Sequence, residues 1–96
     1  MPTQITQIDD AGGARTMLRI AGALTLADAE LIARICAGLR EQRADLEITL
    51  DLADLSVLDS EGAAVLAQLK QQHGVILEGV HLFVQQVIDQ IEQGRG

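Results

Sequence analysis

The feature that most constrains this fold is the spacing of its apolar residues, which changes repeatedly along the chain. Residues 3–8 alternate polar and apolar side chains as an edge strand does, and Thr16–Ala21 predicts a second strand. The residues between them include Gly12-Gly13, which indicates a turn and hence an N-terminal hairpin. Further along, apolar residues three and four apart predict helices, and strands separate them.

The first helix has a clear start. Thr25-Leu26-Ala27-Asp28 fits a capping box, and the apolar spacing that follows predicts a helix to about Gln42. A strand with one buried face should come next and end near Leu52, followed by a short connection. The apolar positions of that strand are Leu46, Ile48, Leu50 and Leu52.

The remaining elements are predicted in the same way. A second helix should begin at Ser60 and end at Gly74, because glycine is the common residue at a helix C-terminus. Val75–Val80 predicts a short strand, and a last helix follows it. The apolar face of that helix comprises Phe83, Val84, Val87, Ile88 and Ile91.

The predicted order is therefore β-β-α-β-α-β-α. Helices that alternate with strands after a hairpin require at least two right-handed crossovers, which predicts an α/β fold with a mixed sheet. Two helices should share one face of that sheet. The 96 residues suffice for one domain, residues 1–96, and Phe83 is the single aromatic, so Leu, Ile, Val and Ala must fill the core.

Charge excludes several classes of partner. The chain has 14 acidic and 7 basic residues, a formal net charge of -7, and the basic residues are scattered. Nucleic-acid backbones and anionic membranes require a positive surface, so neither is expected as a partner. No apolar run approaches 18 residues, so membrane insertion is not expected and the cytoplasm is the predicted location. The acidic balance suits solubility and encounter with a positively charged protein partner, and solubility by itself is the more frequent reason for such a balance.

The sequence gives little support for catalysis, and no enzyme activity is predicted. His73 and His81 are the two histidines, and neither lies near Ser60 in sequence. Cys36 is a lone cysteine within a helical pattern, where a buried thiol is expected. With no ligand spacing for a metal and no glycine-rich phosphate loop, no metal and no cofactor are predicted.

The most informative segment is Asp59-Ser60-Glu61-Gly62, which follows the central strand and opens a helix. Ligands of open α/β sheets bind at the carboxyl ends of strands, and a helix N-terminus there favours negative charge. Gly62, without a side chain, should let another surface approach the Ser60 hydroxyl. Serine is also a common N-cap, however, and for this motif by itself local capping is the more frequent role.

The chain resembles the STAS family over nearly its full length. The residues that carry the resemblance are Gly22-Ala23-Leu24, Leu50-Asp51-Leu52, Val57-Leu58-Asp59-Ser60-x-Gly62 and Gly79-Val80. In anti-sigma-factor antagonists of this family, a partner kinase phosphorylates the serine that corresponds to Ser60. The resemblance therefore implies a protein-binding signalling switch, whose partner is a serine kinase that acts as an anti-sigma factor. The implied partner-binding residues are Asp59, Ser60, Glu61, Gly62 and Ala63.

The resemblance also implies an alternative. Small STAS proteins serve as constitutive cytosolic subunits of phospholipid-transport ABC complexes, where they contact the ATPase. Glu61 favours this alternative slightly, because the family commonly has a small or hydroxyl residue at that position. A stressosome-like scaffold is a third option, although such subunits usually carry extra domains or assemble into large shells.

Overall fold

A computed structural model describes residues 3–80, 85 and 88–90 of the chain. The predicted order of elements is confirmed through the fourth strand, and Gln85 and residues 88–90 are helical, as expected for the last helix. The rest of that helix's predicted apolar face lies outside the described residues, as do His81 and the C-terminal tail. The elements are β1 (Gln4–Asp9), β2 (Arg15–Leu24), α1 (Leu26–Gln42), β3 (Glu47–Leu58), α2 (Ser60–His73) and β4 (Ile76–Glu78).

The four described strands form a mixed sheet in the order β1-β2-β3-β4. β1 pairs with β2 antiparallel, while β2 with β3 and β3 with β4 are parallel. Parallel neighbours need a crossover, and α1 and α2 supply the two that this sheet requires. The two helices contact each other, so they share a face of the sheet as predicted.

The core lies between that face and the two helices. Alternating residues of β2 and β3 point into it, and they meet the apolar stripes of α1 and α2. Fully burying one Leu or Ile side chain stabilises a fold by about 1.5–3 kcal/mol. The buried residues include Leu18, Ile20, Ile48, Leu50, Leu52, Ala29, Ile32, Ala63, Leu66 and Ile88.

Cys36 of α1 also lies in the core, as the sequence predicted. The side chain is a free thiol, and the residue is 4% exposed. Burial raises the pKa of the Cys36 thiol, which lowers the fraction of reactive thiolate at neutral pH.

β3 is longer than the sequence predicted. It was expected to end near Leu52, but it continues to Leu58, paired with β2 as far as Leu24. Two register shifts, between Arg19 and Ala21 and between Gly22 and Ala23, place extra residues on the β3 side. These bulges move the inward positions to Leu52 and Leu55, three residues apart, so the two-residue alternation is lost.

Two other strand limits also differ from the prediction. β2 continues to Leu24, three residues past the expected Ala21, because it accompanies β3 to its end. β4 covers Ile76–Glu78, not Val75–Val80, and Gly79 follows it with a φ of 67°, a left-handed conformation that ends the strand.

Candidate functional site

The candidate site is formed where β2 and β3 end and α1 and α2 begin. Each helix starts two residues after its strand ends, at Leu26 and Ser60. The backbone N–H of Asp59 donates to the carbonyl oxygen of Leu24 at 3.3 Å, which ties the two strand-to-helix junctions together. The start of α2 is therefore held against the start of α1.

Asp59 is the N-cap of α2. Its backbone is extended, with φ -83° and ψ 165°, and its carboxylate accepts a hydrogen bond from the N–H of Gly62 at 2.6 Å. Ser60 is the first helical residue, one position too late to cap this end. The interpretation of Ser60 as the capping residue is therefore wrong, because Asp59 satisfies the donor that a cap satisfies.

The Ser60 hydroxyl is exposed, and no described residue forms a hydrogen bond with it. The other hydroxyls at this end are engaged within the chain. Thr25 donates to a carboxylate oxygen of Asp28 at 3.1 Å, and Ser56 donates to the carbonyl oxygen of Gly22 at 3.0 Å. Ser56 and Ser60 are the only serines in the sequence, and of these two hydroxyls only that of Ser56 is hydrogen-bonded to a residue that the structure describes.

Gly62 has a different role from the one predicted. A Cβ atom at this position would lie 2.9 Å from the Asp59 carboxylate and 3.1 Å from the carbonyl oxygen of Leu24. The space beside Gly62 is therefore filled by the chain's own β2–α1 junction and does not admit a second surface. The glycine is needed so that the two helix starts can approach each other.

The five predicted partner-binding residues divide into two groups. Asp59, Ser60 and Glu61 are exposed, whereas Gly62 is buried and Ala63 is fully buried. The two buried residues can support the surface from below, but they cannot present side chains to a partner in this conformation. Contact of the exposed residues with a partner stays a prediction.

The start of α1 is held by a capping box, as the sequence predicted. Thr25 and Asp28 form it, and the hydroxyl of Thr3, just before β1, donates to a carboxylate oxygen of Asp28 at 2.8 Å. The Thr3 bond is the main cause that lowers the pKa of the Asp28 carboxyl from its ordinary value. The N-terminal segment is thereby attached to the same end of the sheet as Ser60.

Val57 is a surface residue at this end for which the sequence predicted neither exposure nor a contact. It pairs with Ala23 near the end of β3, three residues before Ser60, and its exposed fraction is 55%. This is the largest value among the exposed large hydrophobic residues of the described region. The sequence placed Val57 in a short connection after the strand. Without a strand pattern it could not predict whether the side chain is buried or exposed.

The described residues do not show a metal site at this end or elsewhere. Among residues 3–80, 85 and 88–90, no three His, Cys, Asp or Glu side chains cluster closely enough to hold a metal ion. His73 lies at the far end of α2, about 20 Å from Ser60 along the helix axis. No helix in the same part of the chain is long and apolar enough to cross a membrane.

Comparisons with known proteins point to one family. The family model for the STAS domain matches residues 3–93. Among solved structures, the fold is similar to the antisigma-factor antagonist STAS domain from Rhodobacter sphaeroides, with a TM-score of 0.59 and 19% sequence identity. The match covers 80% of this chain and 86% of that one, and at this identity it shows the fold. No match was found among curated proteins.

Proposed function

The chain belongs to the STAS domain family, and we propose on that premise that it is a protein-binding switch of the anti-sigma-factor-antagonist kind, controlled by phosphorylation of Ser60. The observation that carries the proposal is the exposure of Ser60 at the start of α2. Its hydroxyl does not cap the helix, because the Asp59 side chain does. The similar solved fold, described as an antisigma-factor antagonist, supports the same class. The proposed partner is a serine kinase that acts as an anti-sigma factor, and the proposed location of both proteins is the cytoplasm.

In the proposed mechanism, the surface around the start of α2 docks onto the partner while Ser60 is unmodified. Phosphorylation adds about -1.5 to -2 charges at pH 7. The positive end of the α2 dipole tolerates that charge locally, so the fold is expected to stay intact. The cost falls on the interface, where a dianion replaces a neutral hydroxyl in a close contact. A loss of about 3 kcal/mol would weaken binding about a hundredfold.

The first test compares two variants of Ser60. Ser60→Asp carries a permanent negative charge and should release the partner recovered with the wild-type chain from cells of the source organism. Ser60→Ala should bind like the wild type or better, and both variants should unfold at nearly the wild-type temperature. Ser56→Ala is the matched control and should bind like the wild type. Ser56 lies near the same end of β3, but its hydroxyl is hydrogen-bonded to the carbonyl oxygen of Gly22. Equal binding by Ser60→Asp and Ser60→Ala would reject the proposal.

A second candidate function is a constitutive subunit of a phospholipid-transport ABC complex. The observation that favours it is the exposed Glu61 carboxylate, which follows Ser60 directly and adds negative charge where a kinase must place a phosphate. In that case Ser60 would be a contact with the ATPase and would not be modified. Affinity isolation from cells separates the two candidates, since it would recover an ABC ATPase and permease with an unmodified chain.

A further inference from the structure

Val57 is held at the surface by strand pairing. It pairs with Ala23, just after the second register shift between β2 and β3, and Leu24 pairs with Leu58 beyond it. A β-branched aliphatic side chain on a paired strand loses little conformational entropy when a partner covers it, which is a property of interface anchors.

The chain segments at the end of the sheet that carries Val57 contain charged residues of one sign only. The Ser60 end, which we define as residues 20–33 and 52–66, contains no lysine and no arginine. Its acidic residues are Asp28, Glu30, Asp54, Asp59 and Glu61. Charges arranged this way attract a partner of opposite sign and repel acidic surfaces.

We propose that Val57 is the apolar anchor of the partner interface, and that the partner is a protein with a small apolar pocket bordered by lysine or arginine side chains. This inference rests on the proposed function, because it assumes that the Ser60 end is the docking surface. It adds the chemistry of the partner and a residue that determines specificity. Charge complementarity selects a basic protein over a second copy of this acidic chain.

The two kinds of residue should affect different steps of binding. Acidic residues at the edge of an interface mainly speed the encounter, so Glu61 and Asp54 should set the association rate and its salt dependence. Residues at the centre mainly determine how long the complex lasts, so Val57 and Ser60 should set the dissociation rate. In this arrangement the partner's lysine or arginine side chains border the interface and face Glu61 and Asp54, while Ser60 contacts its apolar centre. A phosphate on Ser60 then releases the partner because the dianion is desolvated there without a cation to pair with.

The first experiment uses a defined probe and needs no kinase. The ¹⁵N-labelled chain is titrated with the tetrapeptide Lys-Leu-Leu-Lys, with Glu-Leu-Leu-Glu and Lys-Ser-Ser-Lys as controls, and amide chemical shifts are followed by NMR. We expect saturable shifts at residues 54–61 with the first peptide and with neither control. Val57→Thr keeps the β-branched shape and should raise the dissociation constant about fivefold. The matched change Ile8→Thr, at a site 42% exposed on β1, should leave it unchanged.

Glu61→Gln is expected to weaken the peptide about twofold and to reduce the salt dependence of binding. Glu41→Gln removes an exposed carboxylate near the end of α1 and should change neither the affinity for the peptide nor its salt dependence. Shifts spread evenly over the acidic residues of the whole chain, or equal affinity of Val57→Thr and wild type, would overturn the inference.

The same variants separate this inference from the proposed switch. If Val57→Thr speeds dissociation of the partner protein recovered from cells while Ser60→Asp does not, Val57 is supported as the interface anchor and the Ser60 switch is rejected. If Ser60→Asp speeds dissociation while Val57→Thr does not, the switch stands and the anchor fails.

Discussion

The two ends of the sheet carry equal numbers of acidic residues but differ in the number of basic residues beside them. The Ser60 end has five and no basic residue, while the opposite end, residues 9–16, 39–48 and 69–76, has five acidic residues and four basic ones. We call the latter the Arg43 end. Arginine side chains form ion pairs there. The Nε atom of Arg15 is 3.2 Å from Oε2 of Glu47, and the Nε atom of Arg43 is 3.3 Å from Oδ1 of Asp45.

The two ends also differ in packing. At the Ser60 end the helix starts are so close that Gly62 has no room for a Cβ atom. Near the Arg43 end a small cleft remains between α1 and α2, lined in part by Ala37, Arg40 and His73. The acidic residues of the Ser60 end form no ion pair with any residue that the structure describes, although this end is the more tightly packed one. Their charge is available to a partner, whereas Glu47 and Asp45 of the Arg43 end are paired with arginines.

The largest effect on stability is expected from Gly62→Ala. The added Cβ atom would meet the Asp59 carboxylate and the Leu24 carbonyl oxygen, so we expect a loss of about 1 to 3 kcal/mol in unfolding free energy. Gly38→Ala is the matched control in α1, because a methyl group at that position would meet no neighbouring atom within 4 Å and the helix should gain about 0.5 to 1 kcal/mol. Urea unfolding measures both. Similar values for the two variants would show that the helix starts are not tightly packed.

A smaller effect is expected when one acidic residue is removed from each end. Asp59→Ala deletes the cap of α2 and should cost about 1 kcal/mol. Asp45→Ala removes an exposed ion pair with Arg43 and should change stability by less than about 0.5 kcal/mol. Thermal unfolding at low and high salt distinguishes them, because the cap is local and salt affects it little. If Asp45→Ala proved the more damaging, the contrast between the ends would be reversed.

The smallest effect concerns pH. The pKa of Asp28 is lowered in the folded state, so its contribution to stability is present above the unfolded value, about 3.9, and is lost as pH falls through the folded value. Thr3→Val removes the donor and should raise the pKa of Asp28, reducing stability at neutral pH and narrowing the difference from wild type in acid. An NMR titration of the Asp28 carboxyl measures this, with Thr6→Val on β1 as the control. An unchanged pKa in Thr3→Val would show that the Thr3 bond does not stabilise the carboxylate.

The sequence predicted the order of elements because apolar spacing reports which face of an element is buried. It also located both ends of α2, since Asp59-Ser60 and Gly74 favour helix termini for local reasons. It gave the capping role to Ser60 and not to Asp59, because serine is a common cap and the two adjacent residue types cap about equally well. That choice depends on where the Leu24 carbonyl oxygen lies, which is a tertiary feature.

The second half of β3 was not predictable for a related reason. The bulges opposite β2 change the spacing of its inward residues, so the pattern no longer indicates a strand. Val57 was therefore not assigned to a face, and its exposure was not predicted although it belongs to the motif that carries the family resemblance. The sequence predicted that Gly62 leaves room for a partner surface. The space beside it is instead occupied by the Asp59 carboxylate and the Leu24 carbonyl oxygen of the same chain.

The central claim is that the Ser60 hydroxyl is a switch that Asp59 leaves free. The most direct measurement is the phosphate occupancy of Ser60 in two pools isolated from the same cells, the chain bound to its partner and the free chain, with Ser56 as the internal reference. The account predicts phosphate on Ser60 in the free pool, little in the bound pool, and none on Ser56 in either. Equal occupancy of Ser60 in both pools, or no phosphate in either, would contradict it.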